Sequence, residues 1–153
     1  MIKRFFDRDF EFGGTLRDLN ESKGNYYGVY IIVLPSDFGK VNFNEAVNLE
    51  IWRDRKVAVS IDELQNRWLK DADVLYIGKS ESKTVYKRVL EHLKFWGGKN
   101  VSAFGGRIIG QIQNYEDLHI WYMKCENSEK VKKELLCEFK NKYGQLPFAN
   151  LKQ

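Results

Sequence analysis

Two tyrosines, Tyr30 and Tyr76, each lie in an apolar run close to a glycine, and Lys79, Arg88 and His92 follow the second of them. Residues of these types suit work on a phosphodiester. Hydrolysing that bond near neutral pH needs an activated water, a cation to take charge from the oxygens, and donors that meet the developing negative charge. A tyrosine hydroxyl acts as the base when neighbouring cations lower its pKa, and Lys79, Arg88 and His92 are the cations within the same stretch. Arginine suits the phosphate contact because its planar fork donates twice. A carboxylate on the last predicted helix would hold Mg²⁺ or Mn²⁺, which keeps several waters and needs one or two protein carboxylates. Alone, each residue has a plainer explanation: tyrosines in apolar strands are mostly packing residues, and a basic helix face is commonly a solvated one.

These side chains need elements to carry them. Tyr27 to Leu34 is β-branched and aromatic without a charge and stops at Pro35, so it reads as a strand buried on both faces. Val74 to Ile77 reads as a second buried strand, ending on a turn at Gly78, and Leu118 to Met123 as a third. Between Thr84 and Trp96 the apolar residues Val85, Val89, Leu90, Leu93 and Trp96 keep helical spacing up to Gly97-Gly98, which places Arg88 and His92 on one face, a turn apart. The last helix runs from Ser128, read as its N-cap, to Tyr143 and stops at Gly144; its apolar face is Val131, Leu135, Leu136, Phe139 and Tyr143.

Connecting segments carry fewer signals. Residues 1 to 25 alternate phenylalanines with charges and read as a packed lead-in followed by a polar loop. From Pro35 to Asp73 the chain makes an insertion: a loop through Glu50, a short strand at Lys56 to Val59, and a helix opened by the capping box Ser60-x-x-Glu63, with Trp68 as a core residue. Gly105 to Ile112 reads as a short helix entered through a glycine turn. It is not a phosphate-binding loop, since the Gly-Lys-Ser/Thr ending is missing.

The chain has 153 residues, 43% of them hydrophobic, which is the size and apolar content of one domain. Its 25 Lys and Arg exceed its 21 Asp and Glu, a balance that permits a nucleic-acid partner without requiring one. Two cysteines, Cys125 and Cys137, and two histidines give neither a zinc-ligand pattern nor a disulfide framework. No apolar run has the length of a signal peptide or membrane span, so no membrane partner and a reducing cytoplasm are the expectation.

Gly28-Val29-Tyr30, Tyr76-Ile77-Gly78, Arg88 with His92, and Pro147-x-x-Asn150 together resemble the GIY-YIG nuclease family. The resemblance implies an α/β (α+β) fold with a small, mainly antiparallel central sheet flanked by helices, the first two motif strands pairing antiparallel, in a single GIY-YIG-like domain over residues 1–153 with an insertion at about 35–73. Carried over by position, Tyr30 and Tyr76 match the motif tyrosines, Lys79 a lysine after the glycine, Arg88 and His92 the Arg-x-x-x-His of the helix, and Asn150 the closing asparagine that supports the site. The family's metal-binding glutamate is the point of departure, because its register against Leu135, Leu136 and Phe139 falls on Lys132. Glu134 and Glu138 are the neighbouring carboxylates and the candidates for Mg²⁺ or Mn²⁺; Glu138 keeps the family's spacing to Asn150, yet both point away from the centre of the apolar stripe.

The leading expectation from this resemblance is a metal-dependent endonuclease that hydrolyses DNA phosphodiesters. A second is a catalytically degenerate member that binds nucleic acid through Lys79, Lys83, Lys87, Arg88 and Arg107, which Lys132 in the glutamate register would allow. A third keeps the fold but makes the partner a protein, docked on the insertion. Target sequence, pathway and oligomeric state have no sequence signature here.

Overall fold

The computed structural model describes residues 1–152. It opens on a hairpin, β1 (Ile2–Phe5) and β2 (Arg8–Thr15), in place of the packed lead-in expected there. Phe6 and Asp7 join them, with φ of 56° and 57°. Two successive left-handed residues give the turn whose twist matches a two-residue hairpin. Such turns are usually written Asn-Gly, and Phe-Asp does not announce one. β3 (Gly28–Val33) follows and is buried along its whole length, as its uncharged run requires.

The insertion contains the two-residue strands β4 (Ile51–Trp52) and β5 (Arg55–Lys56) and the helix α1 (Ile61–Arg67). The strand expected at Lys56 to Val59 is thus shorter and begins one residue earlier. Ser60 caps α1 as its sequence demands, its hydroxyl accepting the Glu63 N–H at 3.1 Å. Trp68 packs edge-on against Phe43 and Phe148. The fully buried side chain of Gln111 ties the insertion down, accepting from Val59 N and donating to the Asn44 and Val59 carbonyls.

Next come β6 (Val74–Ser80), α2 (Val85–Trp96), β7 (His119–Lys124) and α3 (Ser128–Tyr143). α2 starts on the Thr84 cap and ends at Gly97. α3 ends where Gly144 turns left-handed, at φ 81°, but its N-cap is Asn127 rather than Ser128. Asn127 accepts the Lys130 N–H, while the Ser128 hydroxyl is buried without a partner. Short 3-10 turns at Leu16–Asp18, Arg107–Gln111 and Tyr115–Asp117 complete the chain.

The fold is α+β. Five strands form one sheet in the order β1-β2-β7-β3-β6, and every neighbouring pair is antiparallel. The expected pairing of β3 with β6 is present, and the hairpin adds two strands on the far side of β7. Side chains alternate between two cores, as the period of a strand dictates. Tyr30, Ile32, Ile120 and Tyr122 face α1, α2 and the insertion, while Val29, Ile31, Val33 and Trp121 face α3. Ile32 pairs with Tyr76 and Val33 with Val74, which leaves Leu75 as an extra residue in β6. That bulge turns both Leu75 and Tyr76 toward the α2 core. Among the described residues no helix is long and apolar enough to cross a membrane.

Candidate functional site

Gly78 does not end β6 in a turn; it lies within the strand, directly opposite Tyr30. A Cβ at this position would collide with the Tyr30 ring, so the glycine is the space in which that ring lies. Gly28 has a similar role, since a Cβ there would strike the Met123 carbonyl of β7. Both motif glycines thus serve close packing within the sheet. Tyr76 comes in beside Tyr30, their ring centroids 6.1 Å apart, and is roofed by Gly105 and Gly106. A Cβ on Gly105 would lie 3.2 Å from the Tyr76 hydroxyl.

α2 supplies the next two groups. The Tyr30 hydroxyl and His92 Nε2 are 2.6 Å apart in a fully buried contact. The His92 ring stacks on Trp96, and its Nδ1 is buried without a hydrogen-bond partner, while the backbone of Ala103 nearby favours the protonated ring. Burial first, then the charges of Arg88 and Lys132, push the His92 pKa down to about 3. His92 is therefore neutral, with its proton best placed on Nδ1 toward Ala103 and its Nε2 accepting from Tyr30. Burial raises both tyrosine pKa values, and Arg88 acts in the opposite direction on each. Arg88 itself donates from Nη1 to the Ser102 carbonyl at 2.8 Å.

β6 is an edge strand, and side chains from both faces of the sheet reach round its open side. Tyr30, Tyr76 and Arg88 come from the α2 face, and Lys79 and Lys132 from the α3 face. With Ser80, Glu81, Ser82, Lys83 and Ser102 they line a pocket of about 400 Å³. Lower down the same edge, residues near the end of the described chain close the strand. Ala149 donates to the Leu75 carbonyl, and the Asn150 side chain accepts from Ile77 N and donates to Ile77 O, both at 2.9 Å. Asn150 acts as a substitute strand partner that holds β6 straight beside the tyrosines.

Not every expected residue arrives. Tyr30, Tyr76, Lys79, Lys83 and Arg88 line the pocket, His92 backs it and Asn150 braces it. Lys87 is exposed on α2 and does not line it. Arg107 lies elsewhere: its Nε donates to the Val57 carbonyl at 3.0 Å and its guanidinium covers Phe104, so it fastens the insertion. Glu134 and Glu138 also fall outside the pocket. Arg8 of β2 holds them at 2.9 and 3.6 Å, because their helical phase turns them toward the hairpin. Lys132, which occupies the glutamate register, is the α3 residue in the pocket. A cleft of about 450 Å³ between β1 with its turn, the start of β6 and α3 is lined by Glu138 but mixes Arg4 and Lys142 with Asp7, Asp71 and Asp73, and it includes neither Tyr30 nor Tyr76.

This donor set does not fit Mg²⁺ or Mn²⁺. Among the described residues Glu81 is the one carboxylate lining the pocket, and it lies 3.4 Å from the Lys79 ammonium. No cluster of three His, Cys, Asp or Glu side chains able to hold a metal occurs among them. A half-buried lysine next to Lys79 and Arg88 raises the local potential against a cation. The arrangement can instead receive an anion: Arg88 and the lysines offer charge, and Tyr76 offers a hydroxyl donor, the Tyr30 proton being given to His92.

No protein-family model matches the chain, and no solved structure matches it at a significant level. It is similar to a DNA ligase of Pelagibacter ubique (strain HTCC1062), 26% identical over 149 aligned residues that take in 88% of this chain. The chain spans 22% of the length of that relative.

Proposed function

We propose that the protein is a DNA-processing domain with a GIY-YIG-like site that grips a phosphate of the nucleic-acid backbone at the open edge of β6. The observation that carries this reading is the convergence of Tyr30, Tyr76, Lys79 and Arg88 on one pocket, with Tyr30 bonded to His92. Similarity to a protein named DNA ligase supports DNA as the polymer. With Lys132 in the place where the resemblance calls for a carboxylate, phosphate binding is the function that the geometry favours, by the route of a degenerate nuclease site.

A metal-dependent endonuclease, the reading that the resemblance implies, comes second: the Tyr30–His92 pair favours it and the pocket's own donors, which do not fit the ion, count against it. Tyr30 gives its proton in a hydrogen bond to the neutral His92 Nε2, which leaves the phenolic oxygen as an acceptor that would orient an attacking water. Arg88 would meet the charge that develops on the phosphate.

Duplex binding followed through a salt titration tests the first reading, with plasmid nicking in Mg²⁺, Mn²⁺ and EDTA alongside. Phosphate binding weakens steeply with salt, whereas docking of a protein through an apolar surface does not. Salt-sensitive binding without nicking supports the binding domain. Nicking that is lost in EDTA and in Glu134→Gln or Glu138→Gln supports the nuclease. No binding to DNA at low salt rejects both and leaves the protein-interaction module.

A further inference from the structure

The charges around the pocket are not evenly matched. Lys79 is held by Glu129 at 2.7 Å and by Glu81 at 3.4 Å, and Glu129 is shared with Lys133 at 3.7 Å. Glu81 also accepts the Glu129 N–H, at the start of α3, so part of its charge is met by the helix terminus. Lys83 is bound by Glu91. Arg88 and Lys132 remain: among the described residues no carboxylate lies within the 4 Å of an ion pair from either. Both are partly withdrawn from water, and both line the same cavity. Two like charges that line one partly desolvated cavity, with Arg88 lowering the Lys132 pKa, are unfavourable unless a ligand answers them.

The size and sign of that ligand follow. A phosphodiester carries one negative charge, whereas a phosphomonoester carries up to two near neutral pH and offers three terminal oxygens. Two cations without an ion-pair partner, one of them a planar fork, together with the Tyr76 hydroxyl, match the second more closely. A pocket of about 400 Å³ also has room for a terminal phosphate and its sugar. We infer that the pocket takes the terminal phosphate of a nucleic-acid end, directly on Arg88 and Lys132 and without a divalent ion, the Lys132 ammonium standing where a metal would otherwise bring charge. This inference rests on the DNA reading above and adds to it the chemical form of the ligand. It also assigns a role to Lys132, which neither the motifs nor the relative's name marks. The low-dielectric surroundings support it further: they depress the Lys132 pKa, an effect that a bound dianion would reverse.

The test is equilibrium binding of one short duplex carrying 5′-phosphate, 3′-phosphate or hydroxyl ends, in EDTA and in Mg²⁺, with inorganic phosphate as competitor. One phosphorylated form is expected to bind at least about tenfold more tightly than the hydroxyl form in EDTA, since a second phosphate charge meets two close cations. Lys132→Met should remove that preference by weakening the phosphorylated duplex far more than the hydroxyl-ended one, while Lys132→Arg should restore it. Thermal melting of each variant reports that it is folded. Equal affinity for all three ends overturns this inference and leaves DNA binding standing, as does a preference that appears only with Mg²⁺ or survives Lys132→Met. Inorganic phosphate bound as tightly as the phosphorylated duplex also overturns it. Failure of every duplex to bind removes the DNA reading itself.

Discussion

At Arg88 two roles meet, since the guanidinium lines the pocket and also holds the Ser102 carbonyl. Arg88→Ala should weaken duplex binding by about ten- to a hundredfold, the effect of losing a charged hydrogen bond to phosphate. Melting should fall by only about 2–4 °C for the lost Ser102 bond. A large loss of stability with unchanged DNA affinity would make Arg88 a structural residue. His92 gives a pH signature. Its folded pKa of about 3 lies below the ordinary 6.5, so the unfolded chain binds the extra proton between those values. The stabilisation is complete above pH 6.5 and is lost as pH falls toward 3, about 2–3 kcal/mol of it by pH 4.5. Denaturant midpoints from pH 7 to 4.5 should slope less in His92→Gln than in the parent; equal slopes would mean that the folded protein protonates His92 freely. These residues were legible because helical spacing fixes Arg88 and His92 to one face and the apolar runs fix both tyrosines to strands. Arg107 was not, because its partners Val57 and Phe104 come from segments with no local cue in sequence. Lys132 was in plain view as the residue in the glutamate register, and its neighbours Glu134 and Glu138 lead away from the site because they face Arg8.

Among the elements, β6 depends on a side chain at the middle of its outer edge. Asn150→Ala would leave the Ile77 N–H and C=O buried without partners, at a cost of about 2–4 kcal/mol. Urea denaturation checks this, and a loss under about 0.5 kcal/mol would show that water or another backbone group takes over. DNA affinity of the folded variant should fall as well, because Tyr76 and Lys79 lie on either side of Ile77 along the strand. Three of the five strands and all three helices could be read from apolar periodicity and caps. The β1–β2 hairpin could not, because Phe6 and Asp7 adopt left-handed backbone without the glycine or asparagine that signals it. Gly78 misled for the opposite reason: a glycine inside a strand looks like a turn until the ring that fills its place is known.

For the whole molecule, the order β1-β2-β7-β3-β6 sets β7 between two parts of the chain that precede it. β2 finds its partner there, with Glu11 opposite Tyr122 and Thr15 opposite His119, and so does β3, with Gly28 opposite Lys124. The hairpin and β3 are therefore joined only through a strand made about a hundred residues later, a separation that slows folding because the loop must close before the contacts reward it. Refolding should take milliseconds to seconds, in the range of proteins dominated by non-local pairing. Pulsed hydrogen exchange should show α2 and α3 amides protected before those of β2. If β2 is protected as early as the helices, the hairpin folds on a local partner first. Until β7 docks, β2 and β3 both present unpaired strand edges, and in that interval the chain is most exposed to pairing with a second copy of itself. A strand that carries no pocket residue, β7, thus governs how long the protein spends in its aggregation-prone state.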